Sequence, residues 1–235
     1  RPLLLQEDSD VLLEQERAAG ARLEEHALVA RDLRREFQPS SPGGPLKVAV
    51  GRLNLVLNHG ECFGLLGENG AGKTTLIKML GASLAPTTGS AHICGFSTQT
   101  ETAQVHRLLG FCPQHDVLWS RLTVREHLLL YARLKGVSIR RERELAQRAL
   151  ESVGLSPQAD RLSSQLSGGM RRRLSVAIAL VGDSQVVLLD EMTRGLDPAS
   201  RRQLWHVLAA ARQGRAMLLT THSMEEADAL SSRIA

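Results

Sequence analysis

Apolar and polar positions alternate in the first part of the chain and run together in the later part. Lys47 to Leu57 alternates and ends in the turn residues Asn58, His59 and Gly60. A strand is predicted at Ala27–Ala30, with a breaker cluster from Gln38 to Pro45 between the two, so this region reads as antiparallel β structure. From Glu61 the pattern changes. Cys62–Leu66 is a short continuous apolar run, followed at once by glycines and by a helix predicted from Lys73 to about Leu84. The same unit recurs at Val186–Leu189 with a helix after Pro198, and at Ala216–Thr220 with a helix from about Met224. Strands that lack polar alternation are covered on both faces, as in a parallel sheet.

Between these units, Leu122 to Ser152 reads as helical. Thr123 and Glu126 form a capping box, Gly136 and Ser138 break the helix, and an amphipathic helix resumes near Arg140. The predicted fold class is therefore α/β: a three-layer core on a mostly parallel sheet, an N-terminal antiparallel β lobe, and a helical lobe over about residues 114–169. Ser9 to Gly20 has the look of a short charged helix, but Val11, Leu12 and Leu13 are too few for a core, so a linker is the favoured reading there, and residues 1–26 are taken as charged linker or helix. The chain begins without Met, and Arg233-Ile234-Ala235 looks like the opening of a strand, as expected of a piece of a longer protein.

Composition narrows the function classes. Of 235 residues, 43% are apolar and only 3% aromatic, so the core is expected to be Leu, Val, Ala and Ile, and base-stacking surfaces are scarce. The net charge of +4 is modest and its basic residues are dispersed, which argues against a nucleic-acid partner. Cys62, Cys94 and Cys112 lack paired zinc-site spacing and read as reduced, buried core thiols. No run approaches the ~20 apolar residues of a bilayer span, and the acidic start is no signal peptide, so the chain is expected to be soluble as given.

Three constellations carry chemistry. Gly67-Glu68-Asn69-Gly70-Ala71-Gly72-Lys73-Thr74 places a G-x-x-x-x-G-K-[ST] loop between strand and helix, where backbone N–H groups surround phosphate oxygens at a helix N-terminus. Gly67, Asn69, Gly70, Gly72, Lys73, Thr74 and Thr75 are thus candidate nucleotide contacts, with Lys73 on the β- and γ-phosphates and the Thr74 hydroxyl on Mg²⁺. Val186–Leu189 then delivers two acids: Asp190 to hold Mg²⁺ through water, and Glu191 to polarise the attacking water. Finally, Ser167, Gly168 and Gly169 precede a helix-forming run from Arg171 to Leu180, so that Ser167 caps a helix with bare N-terminal amides; alone, the three residues could equally form a turn.

In this order the motifs resemble the nucleotide-binding domain of an ATP-binding cassette (ABC) transporter, from about Ala27 to the end. The resemblance implies a P-loop NTPase fold over residues 27–235, ATP and Mg²⁺ as ligands, and hydrolysis of ATP to drive transport. It also implies a second nucleotide-binding domain that sandwiches the ATP, transmembrane domains as partners, and a place on the cytoplasmic face of a membrane within a multi-pass protein. By residue, Gln114 resembles the Q-loop glutamine that senses Mg²⁺ and water. Ser167, Gly168 and Gly169 resemble the signature contacts to the partner's γ-phosphate. Gly195-Leu196-Asp197 resembles the D-loop, and His222 the switch histidine. Phe37 is the candidate to stack on adenine, the alternative being an ordinary core phenylalanine.

Two positions depart from the family pattern: Met192 stands where proline is usual, and Arg194 where a small residue is usual. A competent but slow ATPase is expected. Stretches such as Cys112-Pro113-Gln114-His115-Asp116 and Leu166-Ser167-Gly168-Gly169-Met170 are similar to the A-subfamily of eukaryotic transporters, most of which move lipids. Glu7 to Val11 resembles the lead-in to their second cassette, while Leu166–Met170 resembles their first. The rival readings are a soluble ABC ATPase acting on ribosomes or DNA, which the lack of sustained heptads disfavours, and a degenerate cassette that binds ATP without hydrolysing it.

Overall fold

A computed structural model describes residues 9–38 and 44–235. The breaker cluster over 39–43 and the acidic Glu7-Asp8 lie outside the described residues. Two sheets organise the chain. The first is antiparallel, in the order β2-β1-β4-β5, built from β1 (Leu28–Phe37), β2 (Lys47–Leu57), β4 (Thr88–Ile93) and β5 (Phe96–Ser97). The second is parallel, in the order β6-β7-β8-β3-β9, built from β3 (Cys62–Leu66), β6 (Leu109–Cys112), β7 (Val186–Asp190), β8 (Ala216–Thr221) and β9 (Arg233–Ile234).

The continuous apolar runs of β7 and β8 divide by the period of two that a strand imposes. Val186, Leu188, Ala216 and Leu218 face a core shared with the antiparallel lobe and with Leu76, Ile77 and Leu80 of α2 (Lys73–Leu80). Val187, Leu189, Met217 and Leu219 face the opposite core. That second core holds Leu174 of α6 (Gly168–Leu180), Leu204 of α7 (Pro198–Ala211) and Leu230 of α8 (Met224–Leu230). It continues into the helical lobe through Leu128 of α4 (Val124–Leu134) and Leu150 of α5 (Ile139–Ser152). A fully buried leucine of this kind stabilises the fold by roughly 1.5–3 kcal/mol. The capping box at Thr123 and Glu126 is present, each side chain meeting the other's backbone N–H.

Three expectations need correction. The helix after the glycine loop stops at Leu80, four residues early, because Ala82 turns into the left-handed region (φ 55°) and the N–H groups of Ser83 and Leu84 fold back onto the Lys78 carbonyl. Cys94 is only half-buried, although Cys62 and Cys112 are buried and all three thiols are free. Ser9–Gly20, favoured as linker, is helix α1 and is docked. Ala18 packs on Val29 and Val56, the Glu14 carboxylate accepts the Val56 N–H at 2.6 Å, and Arg31 donates to the carbonyls of Ala18 and Ala21 at the helix end.

Candidate functional site

The loop from Gly67 to Gly72 joins the C-terminal end of β3 to the first turn of α2, and the adjacent strand ends of β8 and β7 complete the rim. This is where open α/β sheets bind ligands. Gly70 and Gly72 adopt left-handed backbone (φ 89° and 95°), and a β-carbon on Gly72 would lie 2.0 Å from the Ala49 carbonyl oxygen. Only glycine fits there, since the loop is pressed against β2. The buried Lys73 ammonium donates to the carbonyls of Gly67 and Glu68 at 2.7 and 2.9 Å, which folds the side chain back along the loop.

Opposite stand the two acids at the end of β7. Asp190 Oδ1 accepts from Thr220 Oγ1 at 2.7 Å and from Thr74 Oγ1 at 3.4 Å, so the carboxylate bridges the middle strand to the glycine-loop helix. Glu191 is 6% exposed and has left-handed backbone (φ 43°), with its N–H on the Thr220 hydroxyl at 3.1 Å. Its side chain gathers three donors: Lys73 Nζ 3.5 Å from Oε1, and Gln114 Nε2 and Arg194 Nη1 at 2.9 and 3.2 Å from Oε2. Gln114 thus directs its amide nitrogen to Glu191 rather than to the Thr74–Asp190 pair.

Those two oxygens suit a hard cation that keeps waters and phosphate oxygens in its shell. Among the described residues no cluster of three or more His, Cys, Asp or Glu is arranged to hold a metal.

A cleft of about 470 Å³ runs along this wall. Phe37 lines one part of it, with Lys73, Thr74 and Thr75 in the floor and Gln114, Glu191 and Arg194 opposite; Asn69 and Gly70 also line it. Phe37 is 36% exposed rather than a core residue, and the Arg35 guanidinium stacks on its ring at 4.8 Å from the centroid. Ser167, Gly168 and His222 do not line the cleft and are exposed. Ser167 caps α6 by accepting the Met170 N–H, and Gly169 fits tightly against α7, where a β-carbon would meet Ser200 Oγ at 2.8 Å. Asp197 caps α7 through the N–H groups of Ala199 and Ser200, and the Ser200 side chain first, with these backbone donors after it, holds its carboxyl below the ordinary aspartate range.

Sequence reasoning missed the residues that hold these motifs in place. Arg172, buried in α6, donates to the carbonyls of Met192, Pro113 and Asp190 and pairs with Asp116, so one guanidinium ties the helix behind Ser167 to the segments bearing Glu191 and Gln114. Around His222, Thr221 Oγ1 donates to the buried Glu226 at 2.6 Å and accepts the Ser223 N–H, and Trp205 donates to the other Glu226 oxygen. Nothing local distinguishes Arg172 from its neighbours Arg171 and Arg173. Nothing local marks Glu226.

A family model described as ABC transporter matches residues 50–194. ABC transporter A family member 10 of Arabidopsis thaliana is 46% identical over 237 residues, covering 99% of this chain and 26% of that protein. ATP-binding cassette sub-family A member 7 of Mus musculus is 45% identical over 238 residues, covering 100% of this chain and 11% of that protein. The chain therefore spans about a quarter or less of these relatives. Among solved structures, the ATP-binding cassette MJ0796, a dimer in a post-hydrolysis state bound to ADP and Pi, superposes with a TM-score of 0.78 at 25% identity, over 88% of this chain and 92% of that one. The chain belongs to the ABC transporter family, as an A-subfamily nucleotide-binding domain with the P-loop NTPase fold and ATPase function.

Proposed function

We propose that this domain binds Mg²⁺ and ATP in the cleft between Phe37 and Glu191, closes on a second nucleotide-binding domain, and drives a membrane transporter of lipid. The observation that carries the reading is the convergence of Lys73, Thr74, Asp190 and Glu191 on one wall, with the amides behind Ser167 facing elsewhere. Lys73 exchanges its loop carbonyls for the β- and γ-phosphates. Thr74 and Asp190 hold the Mg²⁺, which neutralises charge on the phosphates when bound. Glu191 takes a proton from the water that attacks the γ-phosphorus, while the bond to the ADP oxygen breaks. Gln114 orients Glu191 and the water, and Phe37 stacks on adenine.

The exposed Ser167 and Gly168, with half-buried Gly169 beside them, are assigned to the γ-phosphate held by a partner domain, together with His222, because the positive end of α6 suits an anion and does not line this domain's own cleft. The dimeric state of the MJ0796 cassette supports this. For the transmembrane partner, the support is an open, largely apolar groove of about 550 Å³ beside Gln114, lined by Phe111, Val117, Tyr131 and Leu134 between the core and the helical lobe. None of the described helices is long and apolar enough to cross a membrane, so the spanning segments are assigned to the remainder of a longer protein.

In the full-length protein in vesicles, Glu191→Gln is expected to abolish steady-state ATP turnover while leaving nucleotide binding intact. Unchanged turnover would remove the base role. Stimulation of the native ATPase by one phospholipid class across a vesicle panel supports a lipid substrate, and a flat response across the panel counts against it.

A further inference from the structure

Glu191 is held more tightly than a general base needs to be. Oε2 receives both Gln114 Nε2 and Arg194 Nη1, at 2.9 and 3.2 Å, and Oε1 faces Lys73 at 3.5 Å. A carboxylate oxygen offers about two lone-pair sites, so two N–H donors fill Oε2. When phosphate draws Lys73 away, Oε1 is freed, but the side chain stays turned toward Arg194. Arg194 follows Glu191 by three residues in a tight turn, its N–H on the Glu191 carbonyl at 3.2 Å, and Glu191 reaches that turn through left-handed backbone. The guanidinium is 51% exposed and lines the nucleotide cleft, and among the described residues no other acidic side chain pairs with it.

We propose that Arg194 is a positioning residue that brakes ATP turnover by holding the Glu191 carboxylate on its Oε2 side, away from the attacking water. The inference rests on the base role assigned to Glu191 above. The brake is a matter of population: Glu191 serves the water only during the fraction of time in which the Arg194 pair is open. Because Arg194 is half-exposed, the pair is weak enough to open within each cycle. Its removal is expected to raise the rate by about threefold to tenfold rather than by orders of magnitude. Gln114, an uncharged donor, then orients the carboxylate alone.

The test uses the full-length protein in lipid vesicles. Arg194→Ala and Arg194→Gln, the second keeping most of the stem without the charge, are each expected to raise kcat by about threefold to tenfold with KM for ATP within about twofold of native. Arg194→Lys, which still pairs with Oε2, is expected to stay near the native rate. In a Glu191→Gln background, Arg194→Ala is expected to change nothing, since there is no base left to restrain. Should kcat of both neutral variants stay at or below native while Glu191→Gln is inactive, the brake is overturned and the base role stands. A tenfold rise in KM at unchanged kcat would also overturn it, making Arg194 a phosphate ligand. If Glu191→Gln itself turns over like the native protein, the base role falls and the brake with it.

Discussion

Arg172, in the first turns of α6, donates a hydrogen bond from Nε to the carbonyl oxygen of Met192, immediately after Glu191. Through Pro113 and Asp190 the same guanidinium also holds the segments on either side. Met192, standing where the family pattern has proline, is fully buried, and Arg172 supplies the restraint on the turn that the proline ring gives by fixing φ. Arg172→Ala would leave three carbonyls around its buried side chain short of a donor and remove the ion pair with Asp116. The expected loss is about 3 kcal/mol of stability, read from denaturant unfolding. Met192→Pro in the same background is expected to restore part of the ATPase rate but little of the stability.

Phe37 lines the cleft, and the Arg35 guanidinium lies over its ring. A cation at 4.8 Å polarises the ring and holds its orientation, which favours a base stacked on it. Phe37→Ala is expected to weaken ATP binding by about tenfold, in line with a base-stacking contribution of 1–3 kcal/mol, and Phe37→Trp to preserve it. Titration with a fluorescent ATP analogue measures both. Equal affinities for all three proteins would show that adenine stacks elsewhere.

His127 is fully buried at the start of α4, with Nδ1 on the Thr123 carbonyl at 2.7 Å and Nε2 accepting the Trp119 N–H at 3.0 Å. The second contact requires the neutral ring, and burial lowers its pKa below the ordinary histidine value. A histidine with a depressed folded-state pKa contributes stability that is present above the unfolded value of about 6.5 and is lost as pH falls below it. The melting temperature should therefore drop between about pH 7 and pH 5.5, and drop less steeply in His127→Gln. Identical slopes for the two proteins would exclude this source of acid sensitivity.

Burial pushes the thiols of Cys62 and Cys112 up to about 11. Half-buried Cys94 is raised as well by its partial burial, but it remains reachable. At pH 7.5 a thiol reagent is expected to modify Cys94 in the native protein and all three cysteines only after denaturation. Mass spectrometry of the labelled peptides decides the matter.

The glycine loop, the acids after β7 and the cap at Ser167 were legible because each is written in consecutive residues whose backbone geometry follows locally. The parallel sheet was legible from uninterrupted apolar strands. Arg172 was not, because its carbonyl partners lie 18, 20 and 59 positions away and main-chain acceptors leave no mark in a sequence. The stop at Leu80 was hidden for a different reason: Leu84 continues the apolar stripe of α2, yet it packs into the same core from a reversed chain. Docking of α1 depends on Glu14 meeting Val56 and Arg233, a relation across 42 and 219 positions.

That last contact gives the domain a load path. Glu14 grips β2 through Val56 and β9 through Arg233, whose Nη1 lies 3.1 Å from its carboxylate. Strand β9 runs in register with β3, and Leu66, the last residue of β3, directly precedes Gly67. A pull on α1 is thus carried by a carboxylate into two strands at once, one pressed against the glycine loop at Ala49 and the other bound to the strand from which the loop springs. Helix α1 is thereby coupled, through one carboxylate, to both strands that border the glycine loop.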